Sequence, residues 1–319
     1  MYSIKYSYID RSGNVAIDAG DYHGVGGFSN GLAPVATATD GWGYIDTSNR
    51  LLIEPQFYSA MGFSEEFAAI CTGDKWGFID KAGRIIIEPQ YDAVTPFSEG
   101  VALALIGDKS LLIDKTGKTI LSRSTNDLSL SVYEDARFSE GLAVAYDNAK
   151  GKYGFIDRSG EFIIKPMYKA AAPFSEGLAR VAVVDGGKEK LGFINHDGQF
   201  VIPPKYNTDA DFSRNSTDFS EGLASVSEGL NPTLMEEAKF VYVDKTGEII
   251  LPTDFFYAGP FREGRAVVYD AEKDKWGYID RTGRRVIRLQ YDLANDFSDG
   301  LACVATYDNV DVSPYAPRS

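Results

Sequence analysis

The sequence predicts an all-β fold, a tandem array of eight three-stranded antiparallel β-meander repeats forming one domain over residues 1–319. Three observations predict it. A strand block recurs eight times, clearest as Trp76-Gly77-Phe78-Ile79-Asp80, with copies starting near residues 6, 42, 76, 110, 153, 191, 240 and 276. A second block, clearest as Phe97-Ser98-Glu99-Gly100, follows each copy, its Phe lying 17 residues past the block's terminal Asp in five of the eight units. Between the blocks, apolar residues alternate with period two and are punctuated by Gly, Asp and Pro, the pattern of short strands and tight turns. Self-similarity at this period marks a repeat architecture.

Each element follows from its residues. In the first strand, Trp76, Phe78 and Asp80 point one way and Gly77 and Ile79 the other. Asp80-Lys81-Ala82-Gly83 is a tight turn: the Asp side chain accepts backbone N–H groups, and Gly takes the left-handed conformation. Asn49 replaces that Gly in the second unit, and Asn is the other residue that tolerates positive φ. A return strand runs from Arg84 to Glu88 and should stop at Pro89, which has no N–H for a ladder. An aromatic recurs eleven residues past the turn, as in Phe57, Tyr91, Tyr168, Tyr206, Phe255 and Tyr291. An irregular stretch then reaches the Phe-Ser-Glu-Gly block, where Phe should plug the core and Gly turn left-handed. Glu66 stands at that Gly position in the second unit and should be strained. The third strand, such as Val101-Ala102-Leu103-Ala104, leads back to the next Trp-Gly strand. Strands lined by Gly and Ala leave room for close backbone approach by a neighbouring repeat, and stacking buries what no single unit can.

The pattern resembles the bacterial WG (KWG) repeat family from about residue 6 to 305, through the combined spacing of Trp-Gly, Asp-x-x-Gly, Pro-x-Tyr and Phe-Ser-Glu-Gly. The resemblance implies an all-β bacterial repeat protein that binds other proteins and has no shared catalytic residues. The chain departs from the pattern where Trp is missing, in the units beginning near 6, 110, 153, 191 and 240, and at Glu66.

Composition excludes several functions. Lys+Arg is 32 and Asp+Glu 46, a formal net charge of −14. Phosphate backbones and anionic membrane surfaces need a basic face, so neither nucleic acid nor membrane is expected as a partner. No apolar run approaches the roughly 18 residues of a membrane span. No apolar leader is visible after Met1, which predicts a cytoplasmic protein if Met1 is the native start. Cys71 and Cys303 follow no metal or redox spacing and read as small buried residues.

Candidate chemistry is weak. Asp46, Asp80, Asp157 and Asp280 could pair with Glu99 or Glu176 as acid and base. They recur in every unit, however, and a turn role explains all copies together. The base after each turn Asp (Arg11, Lys81, Lys115, Arg158, Lys245 and Arg281) could hold an acidic ligand, but reads better as pairing with a neighbour's Glu. His23 and His196, the only histidines, have no partners at zinc or triad spacing. No catalytic residue, metal or cofactor is expected.

The reading is therefore a non-catalytic, monomeric scaffold that binds a protein or peptide. The alternative is a carbohydrate-binding or carbohydrate-active protein on a closed β ring. Insertions at Leu121–Arg137, Ser213–Asp218 and Ser227–Lys239 break the repeat symmetry. Insertions in repeat arrays map to loops, often on the binding face. Leu128, Leu130, Tyr133, Leu230, Leu234 and Met235 are the candidate partner contacts. The two chain ends carry complementary strand phases and permit closure as in a propeller. Uneven units and degenerate ends favour an open superhelix instead.

Overall fold

A computed structural model describes residues 2–125, 128–129, 137–207, 217–228 and 239–309. Among these the chain is all strand and turn, with no helix, arranged as eight antiparallel sheets in a ring. Seven sheets have four strands and one, Ala224–Glu228 with Lys239–Val243 and Ile249–Pro252, has three. We number the sheets as blades 1 to 8, starting with the blade that contains Trp42.

The second blade shows the plan. A two-residue strand, Ser59–Ala60, pairs with Phe67–Thr72, which pairs with Lys75–Asp80, which pairs with Ile85–Tyr91. The stretch expected to be irregular thus contributes a fourth, short strand. The return strand does not stop at Pro89 but runs through it to Tyr91, because the ladder is broken there. Ile87 pairs with Phe78 and Tyr91 with Trp76, so four residues of one strand span two of the other. A bulge needs no N–H from Pro89.

That bulge explains the Trp-Gly dipeptide. A Cβ on Gly77 would lie 2.5 Å from the Ile87 carbonyl oxygen and 2.7 Å from the Pro89 nitrogen. The close approach comes from the return strand of the same unit, not from an adjacent repeat. The same bulge faces Gly43, Gly154, Gly192 and Gly277. Where Ser7, Leu111 and Val241 replace this Gly, the return strand pairs continuously opposite them.

The array is closed, which corrects the expected open superhelix. Tyr2–Asp10 pairs with Leu301–Asn309 over nine residues, and with Val15–Asp18 and Leu293–Ala294 they make blade 8 from both chain ends. Closure removes two bare sheet edges, the liability an open array would carry. Despite the uneven lengths, seven of the eight blades keep the four-stranded plan. Leu121 and Ser227, expected to begin insertions, are strand residues: Leu121 is buried opposite Leu112, and Ser227 pairs with Phe240.

The core lies between blades. All eight plug phenylalanines are buried, from Phe28 to Phe297. Each meets the preceding blade's Trp-Gly strand. Phe63 packs edge-on to Tyr44 at 5.0 Å, Phe97 on Phe78 at 4.6 Å, and Phe297 on Tyr278 at 5.0 Å. Four of these strands carry Tyr, whose hydroxyl donates to the next blade's backbone, as Tyr44 does to Met61 O at 2.8 Å.

Candidate functional site

The repeated carboxylates serve the ring itself. In each turn the Asp Oδ1 accepts two backbone N–H groups, as Asp80 does from Ala82 and Arg84, both at 3.0 Å. Hydrogen bonding holds these acids below the ordinary carboxylate range, led by the Arg84 side chain at Asp80 and the Thr116 hydroxyl at Asp114. Asn195 keeps the same acceptor geometry.

The block Glu makes a clasp between blades. Ser-Glu-Gly-Val is a two-residue hairpin in which both Glu99 (φ 53°) and Gly100 (φ 81°) are left-handed. This geometry aims the Glu at the following blade. Its carboxylate accepts the next block's Gly N–H and meets the base after that blade's turn Asp. Glu99 takes Gly141 N–H at 3.1 Å and Arg158 at 3.5 Å; Glu263 takes Gly300 N–H at 3.1 Å and Arg11 at 2.8 Å. Six junctions repeat this arrangement, with His196 serving as the base to Glu140 at 3.2 Å. Asp299 accepts Gly31 N–H at 2.8 Å across the closing junction. The block Ser adds a link in the same direction: Ser98 Oγ donates to Phe138 O at 2.7 Å. The expected pairing of cations with neighbouring Glu is what the structure shows. These Glu are not simply solvated, as a plain turn reading has it.

The short strands and plug segments line the centre of the ring. A cleft of about 760 Å³ there is walled by blades 1 to 4, including Pro34, Trp42, Met61, Pro96 and Arg137. Its wall is mostly apolar, and Trp42 is partly exposed in it. Blades 5 to 8 carry polar and charged groups of their own. Arg180 of blade 5 is buried and its Nε donates to Asp218 of blade 6 at 3.0 Å. The Tyr257 hydroxyl of blade 7 is pushed up to about 12 by burial and by Asp296, while Arg180 opposes the rise. Asp296 of blade 8 is raised to about 6 by desolvation, with Arg262 pulling the other way.

Leu130, Tyr133, Leu230, Leu234 and Met235 lie outside the described residues. Leu128 lies in the short strand Leu128–Ser129, and its side chain is outside them too. Cys71 and Cys303 are free and buried; burial pushes the Cys303 thiol up to about 12. His23 is exposed beside the strand Gly24–Val25. Among the described residues, no group of His, Cys, Asp and Glu is arranged to hold a metal. Sequence reasoning missed the Arg180, Asp218, Arg262 and Asp296 set. The signal was available as departures at fixed positions: Asp218 and Asp296 precede a plug Phe where five blades carry Gly or Pro.

The sequence profile of the family described as WG containing repeat matches residues 6–37, 42–76, 76–109, 153–186, 192–229, 242–273 and 276–309. The chain belongs to the WG-repeat family. In this WG-repeat protein the unmatched unit starts where Ser110-Leu111 replace Trp-Gly. No curated protein sequence matches the chain. Among solved structures, the crystal structure of the eukaryotic initiation factor is 12% identical with a TM-score of 0.51, covering 93% of this chain and 88% of that one. Hsv2 of Kluyveromyces lactis is 9% identical (TM-score 0.45, covering 88% and 95%). A streptogramin B lyase structure is 13% identical (TM-score 0.42, covering 95% and 98%). At such identities, likeness to the first shows the fold alone.

Proposed function

We propose that this WG-repeat protein is a non-catalytic scaffold whose ring binds a protein or peptide. One observation carries the reading. The repeated carboxylates are engaged in turns and inter-blade clasps, while the apolar central cleft offers partly exposed contact area. Apolar pockets with a few convergent polar groups are where proteins take ligands. The segment holding Leu128, Leu130 and Tyr133 runs into Arg137 on the cleft wall, which supports its role in specificity. The segment holding Leu230, Leu234 and Met235 joins two strands of blade 6 and is proposed as the second contact. The −14 charge supports a partner other than nucleic acid.

The test is affinity capture on the immobilised protein, compared with a variant in which residues 126–136 and 229–238 are replaced by Gly-Ser loops of equal length. The reading expects specific capture that the folded replacement loses. Capture retained by that variant would remove both segments from the interface. Partly exposed Trp42 in the cleft favours carbohydrate binding as a second reading, since an aromatic face can stack on a sugar. A glycan-array signal without any captured protein would select it.

A further inference from the structure

The return strand is the outer edge of every blade, so one side of its backbone pairs with no strand. Open edges invite unwanted pairing, and proline in them blocks it. Five outer strands carry one, at Pro55, Pro89, Pro166, Pro204 and Pro252. That of blade 8 is only four residues long. Blade 3 lacks proline and carries two bases there, Lys118 and Arg123. Blade 7 has the longest edge without proline, seven residues from Arg285 to Tyr291, with Leu289 where four other blades place Pro.

This edge also gathers charge. Arg284, Arg285 and Arg288 are exposed along it, where blade 2 has Arg84, Ile85 and Glu88. In blades 1 and 2 the turn Asp holds the first of these bases, at 2.6 Å in both Arg50–Asp46 and Arg84–Asp80. In blade 7 the Thr282 hydroxyl donates to Asp280 Oδ1 at 2.6 Å, and Arg284 contributes only its backbone N–H. The Arg285 guanidinium lies over the Phe255 ring, 5.3 Å from its centroid. Among the described residues, none of the three guanidiniums forms an ion pair.

A chain of net charge −14 thus presents one open strand edge lined by arginines, the electrostatic complement of an acidic strand. An added strand draws affinity from backbone hydrogen bonds to a free edge and specificity from the side chains beside it. Acidic side chains two residues apart share one face of such a strand, and guanidinium forks bind carboxylates in a bidentate manner. We propose that the outer strand of blade 7 docks an acidic extended segment of a partner protein. The same arginines repel a second copy of this edge, which disfavours self-association through it. The surface lies at the rim of the ring, away from the central cleft, so it extends the protein-binding reading to a second face.

Fluorescence anisotropy with three labelled peptides of equal length tests it. One alternates glutamate with valine, one lysine with valine, and one glutamate with proline, which keeps the charge but cannot complete a ladder. The glutamate–valine peptide should bind at least tenfold more tightly than either of the others. Combining Arg284→Gln, Arg285→Gln and Arg288→Gln should weaken it at least tenfold. Combining Lys118→Gln, Arg123→Gln and Lys165→Gln removes as much charge from blades 3 and 4 and should leave its affinity unchanged. No binding of the glutamate–valine peptide overturns the proposal. Equal binding of the glutamate–proline peptide, or equal loss in the two triple variants, does so too, because overall charge would then explain the attraction. If the arginine variant fails to fold, amide hydrogen exchange of the wild type provides the readout. The glutamate–valine peptide should slow exchange within Arg285–Tyr291 and leave Thr119–Ser124 unchanged, and an unaltered blade 7 strand is also fatal. The central-cleft reading is decided by capture on the loop-replaced variant and this edge by the peptide titration, so the two fail separately.

Discussion

The Glu65 carboxylate accepts the Gly100 N–H at 2.8 Å and lies 3.3 Å from Lys115 Nζ, so one side chain of blade 2 holds two groups of blade 3. Such a clasp joins a charge-assisted hydrogen bond to a partly exposed ion pair, and the pair alone is worth about 0–1 kcal/mol. Repetition around the ring gives it weight.

Removing one clasp should therefore cost little and removing its cation less. Glu99→Ala should destabilise by about 1–2 kcal/mol, combining the lost ion pair with the Gly141 N–H left without its acceptor. Arg158→Ala should cost under about 1 kcal/mol. Denaturant unfolding of both single variants and the double variant checks this. A coupling near zero would mean that the two contacts act independently.

The bulge over the Trp-Gly strand makes a sharper prediction. Gly77→Ala places a methyl inside backbone contact distance and should destabilise by about 3 kcal/mol or more. Ser7→Ala, at the equivalent position of blade 8 where the ladder is regular, should stay within about 1 kcal/mol. Thermal unfolding of the pair tests the contrast.

Glu66 sits at φ 76° where the other blocks carry Gly. Glu66→Gly should stabilise by about 1 kcal/mol, the penalty an L-residue carries there, less the small loss of its pair with Lys81 at 3.1 Å. A loss of stability would show that the turn of blade 2 draws more from the Glu side chain than its strain costs.

Asp296 predicts a pH dependence. Its folded-state value near 6 exceeds the ordinary 3.8, so the folded protein holds this proton more tightly than the unfolded chain. The contribution to stability is fully present below about pH 4 and is lost as pH rises through 6. Asp296→Asn should thus be more stable than the wild type by about 1–3 kcal/mol above pH 7, and the difference should vanish near pH 4. Unfolding free energies at the two pH values give the comparison.

Much of this fold was legible because the repeat writes the same physics eight times. The Asp80 turn, the left-handed strain at Glu66 and the buried Phe plugs each follow from local chemistry that sequence displays. The role of Gly77 was misread because its constraint is a bulge two strand positions deep, visible only once Ile87 and Tyr91 are paired. Closure was underdetermined for a similar reason. The strand phases of Tyr2–Asp10 and Leu301–Asn309 permit pairing, but only long-range geometry selects it. The electrostatic relation of Arg180 and Asp296 to Tyr257 was not legible because the three come from different blades and share no sequence neighbourhood. Their signal is a departure from the repeat, whereas the sequence reading followed what repeats.

Ring closure joins the two chain ends in blade 8 and sets every inter-blade contact of that blade. Hydrogen exchange of the amides in Ile4–Asp10 measures it directly. A closed ring predicts that these amides, paired with Leu301–Tyr307, exchange as slowly as those of the interior strand Lys75–Asp80. Exchange at the rate of a frayed terminus, with the interior strand still protected, would contradict the closed ring.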